Sequence, residues 1–192
     1  MRYLTGLNLL YLSFISILSA HGNIKRVVDF PDIPGYKTLA CDFHTHTVFS
    51  DGSVWPDIRV QEALKDQLDA IAMTEHLEIQ NWKDDIPHPD RNRSFDLASK
   101  YAKGSGLIII NGSEITRKMP PGHANAIFIK DANKLLIEDP LEVYMEAKKQ
   151  GAFIFWNHPH WIAQSPNGEI PLNPMHLKLI ENGLMHGIEV VN

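Results

Sequence analysis

One stretch decides the fold of this chain: Cys41-Asp42-Phe43-His44-Thr45-His46-Thr47-Val48-Phe49-Ser50-Asp51-Gly52. The apolar run over residues 38–43 leads into the histidines, and the final Ser-Asp-Gly is typical of a turn, so the pattern predicts a strand that enters a loop. Side chains two residues apart in a strand point to the same side. We therefore expect Asp42, His44 and His46 on one face, where the two imidazoles can bind one metal ion.

Two carboxylates accompany this histidine pair. Asp51 can add a ligand from the loop, and Asp42 would lie deeper on the same face, where a carboxylate holds a ligand histidine in the correct tautomer. The alternative interpretation is a polar strand end with two solvated histidines, because short motifs often match by chance. The histidines and acids later in the chain favour the metal site.

The composition is typical of one globular domain. The chain has 192 residues, of which 44% are hydrophobic, and its formal net charge is −5. It contains no run of basic residues, so it lacks the electrostatic footprint of a nucleic-acid-binding protein. Its ten histidines are unusual. The single cysteine, Cys41, cannot form an internal disulfide, and we expect it to be a small buried apolar residue.

The N-terminus predicts export. Residues 1–20 contain Arg2, a mostly apolar core over residues 7–18 and the small pair Ser19-Ala20, which is the pattern of a cleaved signal peptide. A periplasmic or extracellular protein with no membrane segment after cleavage is therefore expected. The alternative is a retained N-terminal membrane anchor, although the segment is short for a spanning helix. Residues 21–37 contain two prolines and are predicted to be a linker or edge segment.

The rest of the chain alternates between predicted strands and helices. Further strands are predicted at residues 69–74, 107–110, 123–129, 152–156 and 187–192. Helices are predicted at residues 56–67, 93–103, 140–150 and 173–182. This alternation indicates an α/β fold with parallel strands that are buried on both faces. Several strands are followed by histidines or acids, and the carboxyl ends of parallel strands meet at one rim of a barrel.

Two of these strand ends supply further ligand candidates. His76 follows the second strand, and Glu75 points the other way, so that it would lie behind the ligands. Ionisable residues at the end of an apolar strand are costly to bury unpaired and are therefore expected to face a polar site. Glu114 follows the third strand and can bridge two metals. The alternative for Glu114 is a solvated loop acid, or a salt bridge with Arg117 or Lys118.

The ordered set of motifs resembles the PHP (polymerase and histidinol phosphatase) domain family over about residues 38–192. The motifs that carry this resemblance are Asp42-Phe43-His44-Thr45-His46-Thr47 through Asp51-Gly52, Thr74-Glu75-His76, Gly112-Ser113-Glu114, Gly122-His123 and Asn157-His158-Pro159. The resemblance implies a distorted TIM-like (β/α)7 barrel with a site for two or three divalent ions, which are zinc, manganese or iron in typical members. It also implies phosphoester hydrolysis as the commonest activity.

The resemblance also assigns roles to individual residues. It implies seven metal ligands: His44, His46, Asp51, His76, Glu114, His123 and His158. Asp42 and Glu75 are expected behind these ligands from the strand pattern alone. His44 and His46 would hold one ion, Asp51 and His76 a second, His123 and His158 the remaining one, with Glu114 as the bridge. The family closes its site with an Asp-x-His pair, and residues 183–192 contain none. We therefore expect that the chain is incomplete at its C-terminus and lacks the last strand or strands.

These features together predict a metal-dependent phosphoesterase that acts on a phosphorylated small molecule. A metal-bridging hydroxide would attack phosphorus, and His160 or Arg117 are the candidates for offsetting charge on the phosphoryl oxygens. One alternative is an amidohydrolase-type metal enzyme that cleaves a C–N or C–O bond. Another is an inactive barrel fragment that only binds metal or ligand.

Several aromatic residues and histidines lie outside these roles. Four tryptophans can line a sugar or base site or pack in the core: Trp55, Trp82, Trp156 and Trp161. We expect His88 to be solvated, and His176 and His186 to be surface or capping residues.

Overall fold

The computed structural model describes residues 30–170 and 172–191. The predicted signal peptide lies outside these residues, and export stays a prediction. The described part of the predicted linker, residues 30–37, contains a turn and neither helix nor strand. Within the described ranges, every helix is too short or too polar to cross a membrane.

The described residues form one six-stranded sheet with the strand order β1-β2-β3-β4-β5-β6. The strands are β1 Cys41–Thr45, β2 Ala70–Met73, β3 Ile108–Thr116, β4 His123–Ile127, β5 Phe153–Trp156 and β6 Gly187–Ile188. The α-helices are α1 Pro56–Lys65, α2 Arg93–Tyr101, α3 Pro140–Gln150 and α4 Pro174–Glu181, and a short 3-10 helix covers Ala132–Leu135. The prediction of an α/β fold is confirmed.

The prediction that all strands run parallel is wrong at β4. The pairs β1–β2, β2–β3 and β5–β6 are parallel, whereas β4 is antiparallel to both β3 and β5. The cause is the connection between β3 and β4, which covers only residues 117–122. A parallel crossover needs about a dozen residues or more, whereas a short loop joins antiparallel neighbours.

β3 is longer than predicted, and this changes the setting of Glu114. The apolar run ends at Ile110, but the strand continues to Thr116 because Gly112 to Thr116 pair with β4. Glu114 therefore lies within a strand, opposite Asn125, and not in a loop. Pairing with β4 fixes the backbone of Glu114 and thereby the position from which its carboxylate projects.

The sheet curls so that its two edges approach each other. Asn125 of β4 donates from Nδ2 to the backbone oxygen of Phe43 in β1 at 3.1 Å. The carboxylate of Glu189, just after β6, lies 2.8 Å from Nδ1 of His44. The result is a curled half-barrel, and the number of seven β/α units stays a prediction.

Helix α3 illustrates how the sequence builds the outer layer. Asp139 caps its N-terminus by accepting from the backbone N–H groups of residues 141 and 142, and Gly151 ends it in a left-handed conformation with φ of 92°. Val143, Tyr144 and Ala147 are fully buried on one face. They pack in the cluster beneath β4 and β5, where each large side chain contributes about 1.5–3 kcal/mol.

Candidate metal centre

A pocket of about 350 Å³ lies at one rim of the curled sheet. It is lined by His44, His46, Asp51, His76, Glu114, His123, His158 and Trp161. All seven residues that were predicted as metal ligands thus come together in one place, although they span more than a hundred residues of sequence. Trp161 joins them from the loop after β5.

The strand directions explain why these side chains meet. His44 lies in β1 near its carboxyl end, and His76 follows β2, which runs parallel to β1. His123 is the first residue of β4. Because β4 runs in the opposite direction, its start lies at the same rim as the ends of β1 and β2.

Glu114 is at the centre of the pocket and is completely buried. Its Oε1 accepts a hydrogen bond from Nδ2 of Asn157 at 2.9 Å and lies 3.1 Å from Nδ1 of His123. Its Oε2 is buried and, among the described residues, receives no well-directed hydrogen bond. A buried carboxylate oxygen without a donor is costly unless a cation satisfies it.

Three imidazoles surround this second oxygen of Glu114. Their nearest nitrogens lie 2.8 Å (His76), 3.4 Å (His46) and 3.8 Å (His44) from Oε2. The Nε2 atoms of His44 and His46 are only 3.1 Å apart. Imidazole nitrogens gathered around a carboxylate oxygen are the donor types that zinc-like divalent ions prefer. The donor set present therefore fits a divalent metal.

Three overlapping groups of side chains could each hold an ion. They are His44, His46 and Glu114; His46, Asp51 and His76; and His76, Glu114 and His123. Within each group the ligand atoms lie within 4.8 Å of one another. Glu114 is shared by two of the groups, which is the arrangement expected of a bridging carboxylate.

The electrostatics of the pocket favour positive charge beside Glu114. Burial would raise the pKa of Glu114, but hydrogen bonds with the surrounding histidines outweigh it and hold the pKa well below its usual range. Burial also opposes charge on His44, yet its contacts with Glu114 and Glu189 raise the pKa of His44 to about 9. Burial and the neighbouring His76 and His44 lower the pKa of His46 to about 4. Burial likewise opposes charge on His76, yet contacts with Glu114 and Asp51 raise the pKa of His76, so the metal-free pocket favours positive charge where an ion would bind.

The profile of the PHP domain family matches residues 42–182. The chain belongs to the PHP domain family. This range contains all seven residues that line the pocket with histidine or carboxylate side chains.

Relatives of this PHP domain are known from several organisms. It is 52% identical to a two-domain protein of Bacteroides vulgatus that contains a predicted PHP-like metal-dependent phosphoesterase, with a TM-score of 0.82 over 85% of this chain and 47% of that chain. It is 39% identical over 80 residues to an uncharacterized protein of Methanocaldococcus jannaschii, covering 42% of this chain and 34% of that protein. A Bifidobacterium adolescentis structure, 15% identical with a TM-score of 0.60 over 80% of this chain and 77% of that chain, shares the fold.

The chain spans about half the length of the Bacteroides relative and about a third of the Methanocaldococcus relative. Because this chain covers only part of each relative, the activities of those whole proteins are not assigned to it.

Asp42 does not take the predicted place beside the histidines of the PHP site. Its side chain is exposed and lines a different surface pocket, together with Thr45 and Arg59. Its Oδ1 accepts the backbone N–H of His44 at 3.1 Å and does not support an imidazole. The pairing of β1 with β2 shifts between Asp42 and Thr45, and this irregularity breaks the simple alternation on which the prediction depended.

Glu75 is buried behind the pocket, as predicted. Its carboxylate accepts the backbone N–H of Thr47 at 3.0 Å, the hydroxyl of Thr47 at 2.6 Å and the hydroxyl of Ser50. Ser50 in turn lies 3.3 Å from Nδ1 of His46. Burial raises the pKa of Glu75, and the hydrogen bonds from Ser50 and Thr47 oppose this shift.

His158 lines the pocket but lies outside the three ligand groups of the described residues. Gln164, which sequence reasoning missed, accepts with Oε1 from the backbone N–H of His123 and from the indole N–H of Trp156, both at 3.1 Å. These two donors fix the amide, so Nε2 of Gln164 donates to Nδ1 of His158 at 2.9 Å. A neutral His158 then carries its proton on Nε2, which lies 3.3 Å from Glu114. The predicted role of His158 as a metal ligand stays a prediction.

Neither predicted catalytic residue reaches the pocket. His160 is exposed and is absent from the pocket lining. The guanidinium of Arg117 is occupied by Glu78, 2.9 Å from its Nε, and by the backbone oxygens of Ile137 and Glu138. Arg117 lies in the loop directly after β3, where these partners hold its side chain.

Two other histidines are buried, contrary to expectation. His88 is 6% exposed, and its Nε2 lies 2.6 Å from the backbone oxygen of Phe49, so it is not solvated. His176 is fully buried and forms a capping box with Asn173 at the start of α4, so the capping part of its prediction is confirmed. His186 is exposed, as expected.

Glu189 is the other residue that sequence reasoning missed. Its carboxylate contacts Nδ1 of His44 and the backbone N–H of His158. A signal for it existed, because it is an acid at the end of an apolar strand, the same pattern that identified Glu75 and Glu114.

Proposed function

We propose that this protein is a metal-dependent phosphoesterase that acts on a phosphorylated small molecule. The observation that carries the proposal is Glu114, a buried carboxylate shared by two groups of metal-ligating side chains inside one pocket. The similarity to a Bacteroides vulgatus protein that contains a predicted PHP-like metal-dependent phosphoesterase supports the choice of ester.

In this proposal six residues hold the divalent ions: His44, His46, Asp51, His76, Glu114 and His123. Bound ions would supply a hydroxide nucleophile near neutral pH and would offset negative charge on the phosphoryl group. Zinc, manganese and iron all suit a mixed imidazole and carboxylate site. The test below therefore uses more than one metal.

The protein groups around the ions would bind and orient the substrate. Nε2 of His158 carries a proton and can donate a hydrogen bond to a phosphoryl oxygen inside the pocket. Trp161 is half-exposed and packs against His123 and His158, with ring centroids 5.4 Å apart in each case. Its indole provides an apolar wall for the part of the substrate beyond the phosphate.

A survey of ester hydrolysis tests the proposal. Metal-free protein is prepared with a chelator, loaded with Mn²⁺ or Zn²⁺, and assayed on an aryl phosphomonoester, an aryl phosphodiester, an aryl amide and a lactone. We expect phosphoester cleavage that needs the metal and falls at least about 100-fold in His44→Ala. The exposed His186 serves as the matched control, since His186→Ala removes a histidine outside the pocket.

Other outcomes would support the alternatives. Turnover of the amide or the lactone without phosphoester cleavage would favour an amidohydrolase-type reaction at the same metals. Tight metal binding without turnover of any substrate would favour a protein that only binds metal or ligand.

A further inference from the structure

Glu189 joins both edges of the curled sheet to the metal pocket. It follows β6, and its backbone N–H donates to the backbone oxygen of Trp156 at 2.8 Å, which extends the pairing with β5. Its side chain reaches His44 in β1, at the other edge of the sheet. Oε1 lies 2.8 Å from Nδ1 of His44, and Oε2 accepts the backbone N–H of His158 at 2.7 Å.

The hydrogen bonding at Glu189 determines which nitrogen of His44 is protonated. An ionised carboxylate has only acceptor oxygens, and the backbone N–H of His158 can only donate. Oε2 is therefore committed to His158, and Oε1 can bind His44 only if Nδ1 carries a proton. When the ring is neutral, the remaining nitrogen of His44, Nε2, has its lone pair on the side that faces His46 and Glu114, where an ion would bind.

We propose that Glu189 is a positioning residue that fixes the tautomer and the ring orientation of His44, so that Nε2 of His44 is presented to the metal. The inference rests on the proposed function for the presence of the ion, but the protonation of Nδ1 does not depend on an ion. The same carboxylate holds the backbone at His158 and thereby links β6 to the pocket.

An amide in place of Glu189 cannot satisfy both contacts. If the oxygen of the amide accepts from the backbone N–H of His158, its NH2 group faces Nδ1 of His44. The favoured tautomer of His44 would then carry the proton on Nε2, which blocks the nitrogen that would bind the ion. If the amide turns the other way, its NH2 group faces the backbone N–H of His158, and neither group can accept a hydrogen bond. Glu189→Gln therefore keeps nearly the same side-chain shape but favours the tautomer of His44 that is protonated on Nε2.

The first measurement needs no metal. In protein labelled with ¹⁵N-histidine, we expect the ¹⁵N shift of Nδ1 of His44 to show a bound proton even above about pH 9, where the ring is neutral and only one nitrogen is protonated. His44→Ala assigns the signal. In Glu189→Gln this signal should disappear, whereas the exposed Glu181→Gln should leave it unchanged. An unprotonated Nδ1 in the unaltered protein would overturn the inference.

The second measurement uses Zn²⁺ as the probe. Glu189→Gln should weaken Zn²⁺ binding by about 10–100-fold, the usual effect of losing a partner of a ligand histidine. In a His44→Ala background the same change should have almost no effect, because Glu189 acts through His44. Equal losses in both backgrounds would overturn the inference, provided that thermal unfolding shows both variants folded.

These measurements separate the inference from the proposed function. If the protein binds Zn²⁺ and cleaves no phosphoester, the proposed function fails while the Nδ1 signal still supports the role of Glu189. If phosphoester cleavage is found but Nδ1 of His44 is unprotonated, the proposed function stands and the role of Glu189 is wrong.

Discussion

The buried carboxylate of Glu75 binds Thr47 twice, through the backbone N–H at 3.0 Å and through the hydroxyl at 2.6 Å. Glu75 follows β2, whereas Thr47 begins the loop that carries Asp51. This pair therefore fixes the loop against the sheet and sets the position of His46, the residue before Thr47. The geometry of the candidate metal centre therefore depends on a carboxylate that accepts hydrogen bonds from Thr47 and Ser50 behind the ligands.

Replacing Glu75 by alanine should destabilise the protein. The buried N–H and hydroxyl of Thr47 and the hydroxyl of Ser50 would lose their acceptor, and unsatisfied buried donors cost about 1–3 kcal/mol each. We expect a loss of about 2–4 kcal/mol in the free energy of unfolding, measured by urea denaturation. The exposed Glu181→Ala is the control. A loss in Glu75→Ala no greater than in that control would show that the anchor is unimportant.

Gly52 should not tolerate alanine. A Cβ atom at this position would lie 2.7 Å from the carbonyl carbon and oxygen of His46 and from the nitrogen of Thr47. Because all three are backbone atoms, the loop must shift, and Asp51 moves with it. We expect a destabilisation of about 1–3 kcal/mol together with weaker Zn²⁺ binding.

A second glycine provides the comparison for Gly52. A Cβ atom at Gly187 would meet its nearest neighbour at 3.5 Å, an ordinary contact distance. Gly187→Ala should therefore keep the stability and Zn²⁺ affinity of the unaltered protein. Equal Zn²⁺ affinities of Gly52→Ala and Gly187→Ala in calorimetric titrations would contradict the close packing of Gly52 against His46 and Thr47.

His123 and His158 should differ in their effect on metal binding. His123 belongs to a ligand group with His76 and Glu114, whereas His158 lies outside the three groups. We expect His123→Ala to weaken Zn²⁺ binding by at least about 10-fold and His158→Ala to change it by much less. Competition with a chromophoric chelator measures both affinities. A larger loss in His158→Ala would restore His158 to the ligand set.

His176 should make the fold sensitive to acid. Its Nε2 lies 2.7 Å from the backbone oxygen of Pro121, while Nδ1 accepts the backbone N–H of Asn173 at 3.3 Å, so both nitrogens are committed in the neutral ring. Burial lowers the pKa of His176 below its ordinary value of 6.5. A group with a lowered pKa in the folded state binds its proton more readily when unfolded, so its contribution is complete above pH 6.5 and is lost as the pH falls.

Urea denaturation of the unaltered protein and of His176→Gln at several pH values measures this contribution. The difference in unfolding free energy between the two should shrink as the pH falls from about 8 to about 5. Other titrating groups are common to both proteins and cancel in the difference. A difference that stays constant over this range would rule out the acid sensitivity of His176.

Local sequence patterns predicted the fold class and the gathering of the site residues well. Apolar runs that end in His44, His76 and Glu114 mark strands, and strand direction brings those ends to one rim. His123 was expected from family resemblance alone. It is the first residue of its strand, and it reaches the rim because β4 runs antiparallel to β3. The direction of β4 could have been predicted from the short loop over residues 117–122.

The supporting shell of the site could not be predicted in the same way. Glu189 and His44 are 145 residues apart, and Gln164 and His123 are 41 residues apart, so no local periodicity connects them. Asp42 failed for a different reason. Alternation along β1 is interrupted by a register shift, and such an irregularity depends on pairing with β2 and not on the sequence of β1 alone.

Removing the metal and then adding it back tests the central claim most directly. Protein stripped with a chelator is titrated with Zn²⁺ or Mn²⁺, and both bound metal and aryl phosphoester hydrolysis are measured in the same samples. We predict that hydrolysis is absent without metal, rises with occupancy, and is not restored by metal in Glu114→Gln, which loses the shared carboxylate. Hydrolysis that persists in stripped protein, or that returns fully in Glu114→Gln, would contradict the account.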